Sequence, residues 1–282
     1  MFHIFGCPMH FGVGDKGLTY SLDYLNDYCK DLEITMLPEI TMPEHDLRNL
    51  KNLNSVIATC QQIAEEGYVA LKRGETPLFI AGDHSSVMGT ISASSAFHGE
   101  LGLIWIDAHP DINTDKTTTT GNIHGMPVAA LLGMGEPKLT SILTPEVKLR
   151  PENIVMLGLR DIDPPELEFL KQLNIRYYTW DDILEIGLEN CMDQTIDYLS
   201  HLGSVHISFD IDAMDPGIMP GVSVPVPGGF NQDESLYAMA RLMQSLPVVS
   251  YDIVEFNAEH DVDDLTAEFA DTLAHLILAR GK

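Results

Sequence analysis

The sequence predicts an α/β fold, a mostly parallel β-sheet flanked by helices on both faces. Short apolar runs alternate along the chain with longer segments of helical spacing, and this order requires crossover connections between parallel strands. The short runs are apolar at nearly every position, as in strands that are buried on both faces. No internal repeat, low-complexity linker or change of composition divides the 282 residues, so we expect one domain over residues 1–282.

The individual elements follow from local pattern. Apolar residues from Leu50 to Ala70 recur on one helical face, and Gly74 ends that helix. The same spacing predicts helices over Asp233 to Leu246 and over Thr266 to Ala279. The expected strands, in chain order, are FHIFG from Phe2, PLFIAG from Pro77, LGLIWI from Leu101, NIVMLG from Asn153, VHISF from Val205 and VVSYDIVEF from Val248.

The composition is strongly acidic. With 16 Lys and Arg against 42 Asp and Glu, the formal net charge is -26, which should repel nucleic acid and anionic membranes and attract cationic small molecules. No run of eighteen apolar residues predicts a transmembrane helix, and the first residues, MFHIFGCPMHFG, are typical of a strand and not of a signal peptide. The four cysteines form no CxxC pair, so we expect free thiols and a cytoplasmic location.

Polar clusters follow directly after four of the expected strands. In an open parallel sheet, ligands bind in the crevice beyond the carboxyl ends of the strands, so we expect these clusters to converge. Asp and Ser also occur as turn residues and helix caps, which is the alternative for any one cluster taken alone. The clusters are Gly82-Asp83-His84, Asp107-Ala-His109-Pro-Asp111, Asp210-Ile-Asp212 and Glu255.

The residue types in these clusters are those that bind divalent cations. Asp107, His109 and Asp111 recur at every second position, so their mutual repulsion and desolvation need a positive charge nearby. A set of imidazoles and carboxylates without thiolate favours Mn²⁺ over structural zinc. So many ligands suit two ions that share bridging carboxylates about 3.5–4 Å apart and lower the pKa of a water between them. The candidate ligands are His84, Asp107, His109, Asp111, Asp210 and Asp212.

Most other histidines carry no such motif. His206 lies within the expected strand VHISF, and we interpret it as a buried histidine whose hydrogen bonds are satisfied. Surface or core roles are expected for the others, which are His3, His10, His45, His98, His201, His260 and His275.

Four motifs together resemble the arginase and agmatinase family, the manganese ureohydrolases, over almost the whole chain. AGDHS resembles G-G-D-H-S, with Ala81 in place of the first glycine, and DAHPDINT resembles D-A-H-x-D-I-N-T. SFDIDAMDP resembles S-F-D-x-D-x-x-D-P, and VEFNAEHD resembles V-E-x-N-P-x-x-D, with Ala258 where proline is usual. The resemblance implies the arginase-like three-layer α/β/α fold and a homo-oligomer, a trimer or hexamer.

The resemblance also implies residue roles. One manganese ion would be bound by His84, Asp107, Asp111 and Asp210, and the other by Asp107, His109, Asp210 and Asp212. A hydroxide bridging the two ions would attack the guanidinium carbon, with Asp111 orienting it and Glu255 pairing with the guanidinium. His124, in GNIHGMP, resembles the family histidine that shuttles a proton near the leaving amine, a role suited to its ordinary pKa.

The loop INTDKTTTTGNIHGMPVAALLG is most similar to that of true arginases. On this resemblance Asn113, Thr118 and Thr120 match positions that contact the substrate α-carboxylate, although serine is common at the last of these. Asp163, in GLRDIDPPELEFL, matches the carboxylate that receives the α-amino group, and Asp161 matches its neighbour. A polar turn is the alternative interpretation of the Thr-rich run. The leading hypothesis is hydrolysis of L-arginine to L-ornithine and urea.

Two segments depart from the arginase pattern without changing an expected metal ligand. MPGVSVPVPGG stands where arginases usually have G-T-P-V-x-G-G, so Val224 occupies a threonine position, and PGVSVP is nearer to formimidoylglutamases. GVGDKGLTYSLDYL lacks the usual R-G-V-x-x-G-P. The alternatives are therefore agmatine, a guanidino acid or formiminoglutamate as substrate, and, from another class, a catalytically silent metal-binding homologue.

Overall fold

Eight strands form one sheet in which every neighbouring pair is parallel, as the sequence predicts. The computed structural model describes residues 1–15, 17–43 and 50–280. The strands are β1 (Phe2–Cys7), β2 (Ile34–Met36), β3 (Thr76–Ala81), β4 (Gly102–Ile106), β5 (Ile154–Leu159), β6 (Arg176–Thr179), β7 (Val205–Asp210) and β8 (Val248–Val254). Their order across the sheet is β2-β1-β3-β8-β7-β4-β5-β6.

The six strands expected from sequence are present, and the two others lie at the edges of the sheet. β2 has three residues and β6 has four, and neither is a continuous apolar run because an edge strand is only partly covered. Short, half-exposed strands of this kind carry little periodic signal.

Ten α-helices connect the strands in the described residues. The predicted helix of residues 50–70 begins at Leu53, after Asn52 in a left-handed conformation (φ 51°), and Gly74 follows its end with φ 78°. None of the described helices combines the length and the apolar character that a membrane crossing requires. The helices are α1 (Gly17–Tyr28), α2 (Leu53–Lys72), α3 (Val87–His98), α4 (Pro127–Leu131), α5 (Pro137–Thr140), α6 (Pro164–Gln172), α7 (Trp180–Ile186), α8 (Leu188–Leu199), α9 (Gln232–Ser245) and α10 (Leu265–Ala279).

The strand order places all four polar clusters at neighbouring positions. The chain leaves β3 and returns at β4, and the later strands β8 and β7 fill the gap between them. The four central strands are therefore β3, β8, β7 and β4, and each ends in one of the predicted clusters. Such a reversal of strand order opens a crevice at the carboxyl ends of the strands, where α/β proteins bind their ligands.

Two apolar layers hold the sheet between its helices. On one face, α1, α8, α9 and α10 pack against residues such as Ile104 of β4 and Ile207 of β7. On the other, α2, α3, α4 and α6 pack against residues such as Phe79 of β3 and Trp105 of β4. These helices on both faces complete the predicted three layers.

The sheet face under α3 is polar where β7 and β8 cross it, unlike the mostly apolar strands around it. His206 is fully buried there, with Nε2 2.7 Å from Asp252 Oδ2 and Nδ1 3.3 Å from Ser94 Oγ. Thr90 Oγ1 donates to the same Asp252 oxygen at 3.0 Å. The interpretation of His206 as a satisfied core histidine is confirmed.

Candidate metal centre and substrate pocket

A tight turn after β3 places His84 at the centre of the crevice. Gly82 is required because a Cβ there would overlap the carbonyl oxygen of Met9. The Asp83 carboxylate then accepts the Gly12 N–H at 2.8 Å and the Ser85 N–H at 3.0 Å, which fixes the turn. These contacts explain why the motif reads Gly-Asp-His-Ser.

The His84 imidazole meets three carboxylates. Its Nδ1 lies 2.9 Å from Asp107 Oδ2, 2.9 Å from Asp210 Oδ2 and 3.3 Å from Asp111 Oδ2. Its Nε2 lies 3.0 Å from the Ser208 hydroxyl, and the ring stacks on Trp105. With Nε2 hydrogen-bonded, Nδ1 can present its lone pair to a cation shared with the carboxylates.

A second cluster adjoins the first through Asp107. His109 Nδ1 lies 3.1 Å from Asp212 Oδ2 and 3.4 Å from Asp107 Oδ1. The Asp212 N–H donates to Asp210 Oδ1 at 2.7 Å, so the Asp210 carboxylate lies beside this second cluster as well as beside His84. The structure thus brings five of the six candidate ligands into two groups that share Asp107, and Asp210 contacts both groups through His84 and the Asp212 N–H.

The electrostatics of these groups fit a divalent cation. Burial and the neighbouring Asp212 and Asp107 raise the pKa of Asp210 well above its ordinary value. Burial and Asp107 raise the pKa of Asp111 to about 6. Burial opposes protonation of His84, but Asp107, Asp111 and Asp210 outweigh it and raise its pKa. The cluster therefore retains protons that a metal ion would displace, and its oxygen and nitrogen donors suit an ion such as Mn²⁺.

Two site residues adopt left-handed backbone conformations that non-glycine residues rarely take. Asp111 has φ 48° and Glu255 has φ 65°. Surrounding hydrogen bonds hold both: Val128 N–H donates to Asp111 O at 3.0 Å, and Glu255 N–H donates to Gly82 O at 2.8 Å. Conformations of this kind cost about 1–3 kcal/mol and concentrate at functional sites.

Glu255 and His124 face each other beside the candidate metal ligands. Glu255 Oε1 accepts the His84 backbone N–H at 2.8 Å and lies 3.1 Å from His124 Nδ1. Its other oxygen, Oε2, is buried, and no donor among the described residues hydrogen-bonds to it. Burial opposes protonation of His124, but the Glu255 carboxylate outweighs it and raises the pKa of His124 to about 9. A buried carboxylate oxygen with no donor suits a cationic ligand.

A pocket of about 250 Å³ opens above these residues. The predicted substrate residues Asn113, Thr118, Thr120 and Asp163 all line it, and Asn113 Nδ2 donates to Asp163 Oδ2 at 3.1 Å. No lysine or arginine of the described chain is part of this lining. The whole lining is His109, Asp111, Asn113, Thr118, Thr119, Thr120, Asn122, His124, Gly125, Asp161, Asp163, Glu166, Asp210, Asp212, Val224 and Glu255.

Comparison with known proteins agrees with this geometry. The family model described as Arginase family matches residues 2–279. The chain belongs to the arginase family. It is 34% identical to the arginase of Bacillus subtilis (strain 168), covering 98% of this chain and 97% of that protein. It is 39% identical to the arginase of Staphylococcus aureus (strain COL), covering 96% of this chain and 94% of that protein.

Solved structures show the same arginase fold. The crystal structure of Bacillus subtilis arginase superposes with a TM-score of 0.91 at 34% identity, covering 99% of this chain and 98% of that chain. The Entamoeba histolytica arginase, solved in complex with L-ornithine, superposes with a TM-score of 0.90 at 28% identity, covering 99% of both chains. The predicted fold and family resemblance are confirmed.

Sequence reasoning missed Glu166, which lines the pocket of this arginase-family chain. Its carboxylate accepts the Ile112 N–H at 3.1 Å and the Asp163 N–H at 3.0 Å. Burial and the nearby Asp111 raise the pKa of Glu166 to about 8. Its signal in the sequence is the spacing Asp163-Pro-Pro-Glu166, a capping box at the start of α6.

Arg160 was also missed, and it joins the loop of the candidate ligand Asp212 to the loop of Val224. Its guanidinium donates to the carbonyl oxygens of Asp212 at 2.7 Å, Met214 at 3.0 Å and Val226 at 3.1 Å. A planar guanidinium can satisfy several carbonyl groups at once, which an ammonium group does less well. No motif pointed to this role.

Proposed function

We propose that this protein is a binuclear manganese hydrolase that cleaves L-arginine to L-ornithine and urea. The observation that supports it best is the pair of adjoining His/Asp groups sharing Asp107, beside the Oε2 of buried Glu255, to which no described residue donates a hydrogen bond. The Glu255 carboxylate lines one pocket together with four of the candidate ligands, which supports a metal site beside a site for a guanidinium; the four are His109, Asp111, Asp210 and Asp212.

The chain offers a set of donors for each ion. One would be held by His84, Asp107, Asp111 and Asp210, and the other by Asp107, His109, Asp210 and Asp212. When bound, two such ions lower the pKa of a water enough to supply a nucleophile near neutral pH. Asp107 contacts the histidine of each group, and Asp210 contacts His84 and accepts the Asp212 N–H, which supports carboxylates shared between the two sets.

The remaining steps belong to side chains. Glu255 holds the guanidinium through a charge-assisted contact, and Asp111 accepts a hydrogen bond from the attacking water and orients it. Attack forms a C–O bond at the guanidinium carbon, and the bond from that carbon to the substrate side-chain nitrogen breaks. His124 gives its proton to that nitrogen, so ornithine leaves as an amine. Of the two protons of the attacking water, one passes through Asp111 to solvent and the other returns to His124, which leaves neutral urea and restores the imidazolium.

The far end of the pocket suits an amino-acid head. Thr118 Oγ accepts the Gly121 N–H at 3.0 Å, and Thr120 Oγ accepts the Asn122 N–H at 3.1 Å. Since these backbone groups occupy the hydroxyl oxygens, the hydroxyl hydrogens are available to a carboxylate. Asn113 would donate to the same carboxylate, and Asp163 would receive the α-amino group.

Another ureohydrolase substrate is the second candidate because Val224 lines the pocket where arginases usually have threonine. An apolar wall at this position favours a different substrate tail: agmatine, a guanidino acid or formiminoglutamate. The cationic candidates fit the acidic chain equally well.

Urea release by Mn²⁺-loaded protein tests both candidates. L-Arginine should be preferred over agmatine and over guanidino acids, and ammonia or formamide release should be absent with formiminoglutamate. Asp210→Ala should abolish urea release, which separates this chemistry from a contaminating activity. Folded, metal-loaded protein that releases urea from no guanidino compound would instead support the catalytically silent homologue.

We further propose that the protein works in the cytoplasm as a homo-oligomer, a trimer or hexamer. The four cysteines are buried free thiols, which agrees with a reducing compartment. The oligomer rests on family membership alone, and light scattering coupled to size-exclusion chromatography measures it directly.

A further inference from the structure

A lysine outside the pocket lining contacts the pocket wall. Lys51 Nζ donates to Asn122 Oδ1 at 2.7 Å, and Asn122 lines the pocket between Thr120 and His124. Because the ammonium group occupies the amide oxygen, the Nδ2 hydrogens of Asn122 are left for another partner. Among the described residues no acceptor takes them.

The backbone fixes this lysine to the same loop. The Lys51 N–H donates to Gly121 O at 2.9 Å, and Asn52 Nδ2 donates to Phe11 O at 2.9 Å. Lys51 also forms no ion pair with a carboxylate in the described part of the chain, where arginines make the two non-histidine pairs. Its positive charge therefore lies behind Asn122.

The pocket walls consequently differ in character. Asp161, Asp163 and Glu166 supply carboxylates to the lining from one segment of the chain, the acidic wall, whereas Thr118, Thr120 and Asn122 supply donors from another segment, the donor wall. A zwitterionic head, with an ammonium group for the acidic wall and a carboxylate for the donor wall, complements this division. A decarboxylated amine complements only the acidic wall.

We propose that Lys51 is a specificity-determining residue that selects substrates bearing an α-carboxylate. It positions the Asn122 amide so that the amide nitrogen faces the carboxylate, and it adds a positive charge behind that contact. This inference rests on the proposed ureohydrolase function and assigns part of its preference for L-arginine over agmatine to a residue outside the pocket.

The test compares Lys51→Met, which keeps the apolar stem, with Lys51→Arg, which keeps the charge. In Lys51→Met the KM for L-arginine should rise roughly five- to tenfold with kcat within about twofold, since a charge-assisted contact to a partly exposed group is lost. The change for agmatine should be about twofold or less, and Lys51→Arg should recover most of the loss. Lys72→Met is the matched control for removal of one positive charge, since the Lys72 ammonium group lies 5.6 Å from the centre of the Tyr68 ring and away from Asn122 in its contacts.

Product binding provides a readout that does not depend on turnover of agmatine. Inhibition by L-ornithine should weaken in Lys51→Met by the same factor as the KM, whereas inhibition by 1,4-diaminobutane should not. Asn122→Asp should act in the same direction and more strongly, because a carboxylate would then face the substrate carboxylate.

If Lys51→Met weakened the binding of carboxylate-bearing and decarboxylated ligands by equal factors, the assignment of Lys51 would be overturned. An unchanged KM for L-arginine in Lys51→Met would overturn it as well. A wild-type enzyme that releases urea from neither compound would be a failure of the proposed function itself, which the same assay shows separately.

Discussion

His124 Nδ1 lies 3.1 Å from Glu255 Oε1, so the candidate proton donor is paired with the carboxylate proposed to hold the guanidinium. This pairing raises the pKa of His124 to about 9 against the opposing effect of burial. The imidazole is therefore charged at neutral pH, the state required to give a proton to a leaving amine.

His124→Asn should lower kcat by about 10²–10⁴-fold, because it removes a positioned general acid. Manganese content, measured by elemental analysis, should be unchanged since His124 is not among the candidate ligands. Activity of the wild type should fall as the pH rises through the pKa of His124 and the proton is lost. Loss of metal in the variant would contradict the assigned role.

Mn²⁺ should stabilise the folded protein. A cation at about 100 times its Kd adds about 2.7 kcal/mol to the free energy of unfolding if it binds only the folded state. In Asp210→Ala this gain should be reduced, as read from thermal midpoints with and without Mn²⁺. Asp193→Ala, which removes an exposed ion pair with Arg241, is the control that should keep the full gain.

His206→Leu should cost about 3–5 kcal/mol of stability, because it leaves the Asp252 carboxylate buried without its histidine partner. Urea denaturation measures the loss. The double variant with His206→Leu and Asp252→Leu should lose less stability than the two single variants lose together. Additive losses would show that the pair is not coupled. His201→Leu, at an exposed position, should have little effect.

His275 should make stability depend on pH. The Asp271 backbone carbonyl and the Asp31 carboxylate raise the pKa of His275, while burial opposes them. Because the folded-state pKa is the higher one, this stabilisation is complete below the unfolded pKa and is lost as the pH rises through the folded pKa.

His275→Gln should therefore lower Tm by about 1 °C near pH 5.5 and by less near pH 9, a small effect because both partners are exposed. Thermal denaturation at the two pH values checks this. Asp31→Asn should lower Tm with the same pH dependence as His275→Gln. A Tm difference between wild type and either variant that grows towards high pH would contradict the assigned sign.

The candidate ligands could be found from sequence because each follows an apolar run and has a metal-binding side chain. Asp107, His109 and Asp111 show the pattern most clearly. Glu166 and Lys51 could not be found in this way. Glu166 acts through hydrogen bonds to the backbone of residues 112 and 163, and Lys51 reaches Asn122 across 71 positions of the chain.

The sequence by itself determined the layered α/β fold and the six candidate metal ligands, because these depend on local periodicity and residue type, and its resemblance to arginases indicated the loop that lines the pocket. Tertiary structure decided the strand order that sets β8 and β7 between β3 and β4, and so brings the clusters together. It also decided the left-handed backbone at Asp111 and Glu255, and the lysine behind Asn122. These features depend on contacts between distant segments, which no local pattern encodes.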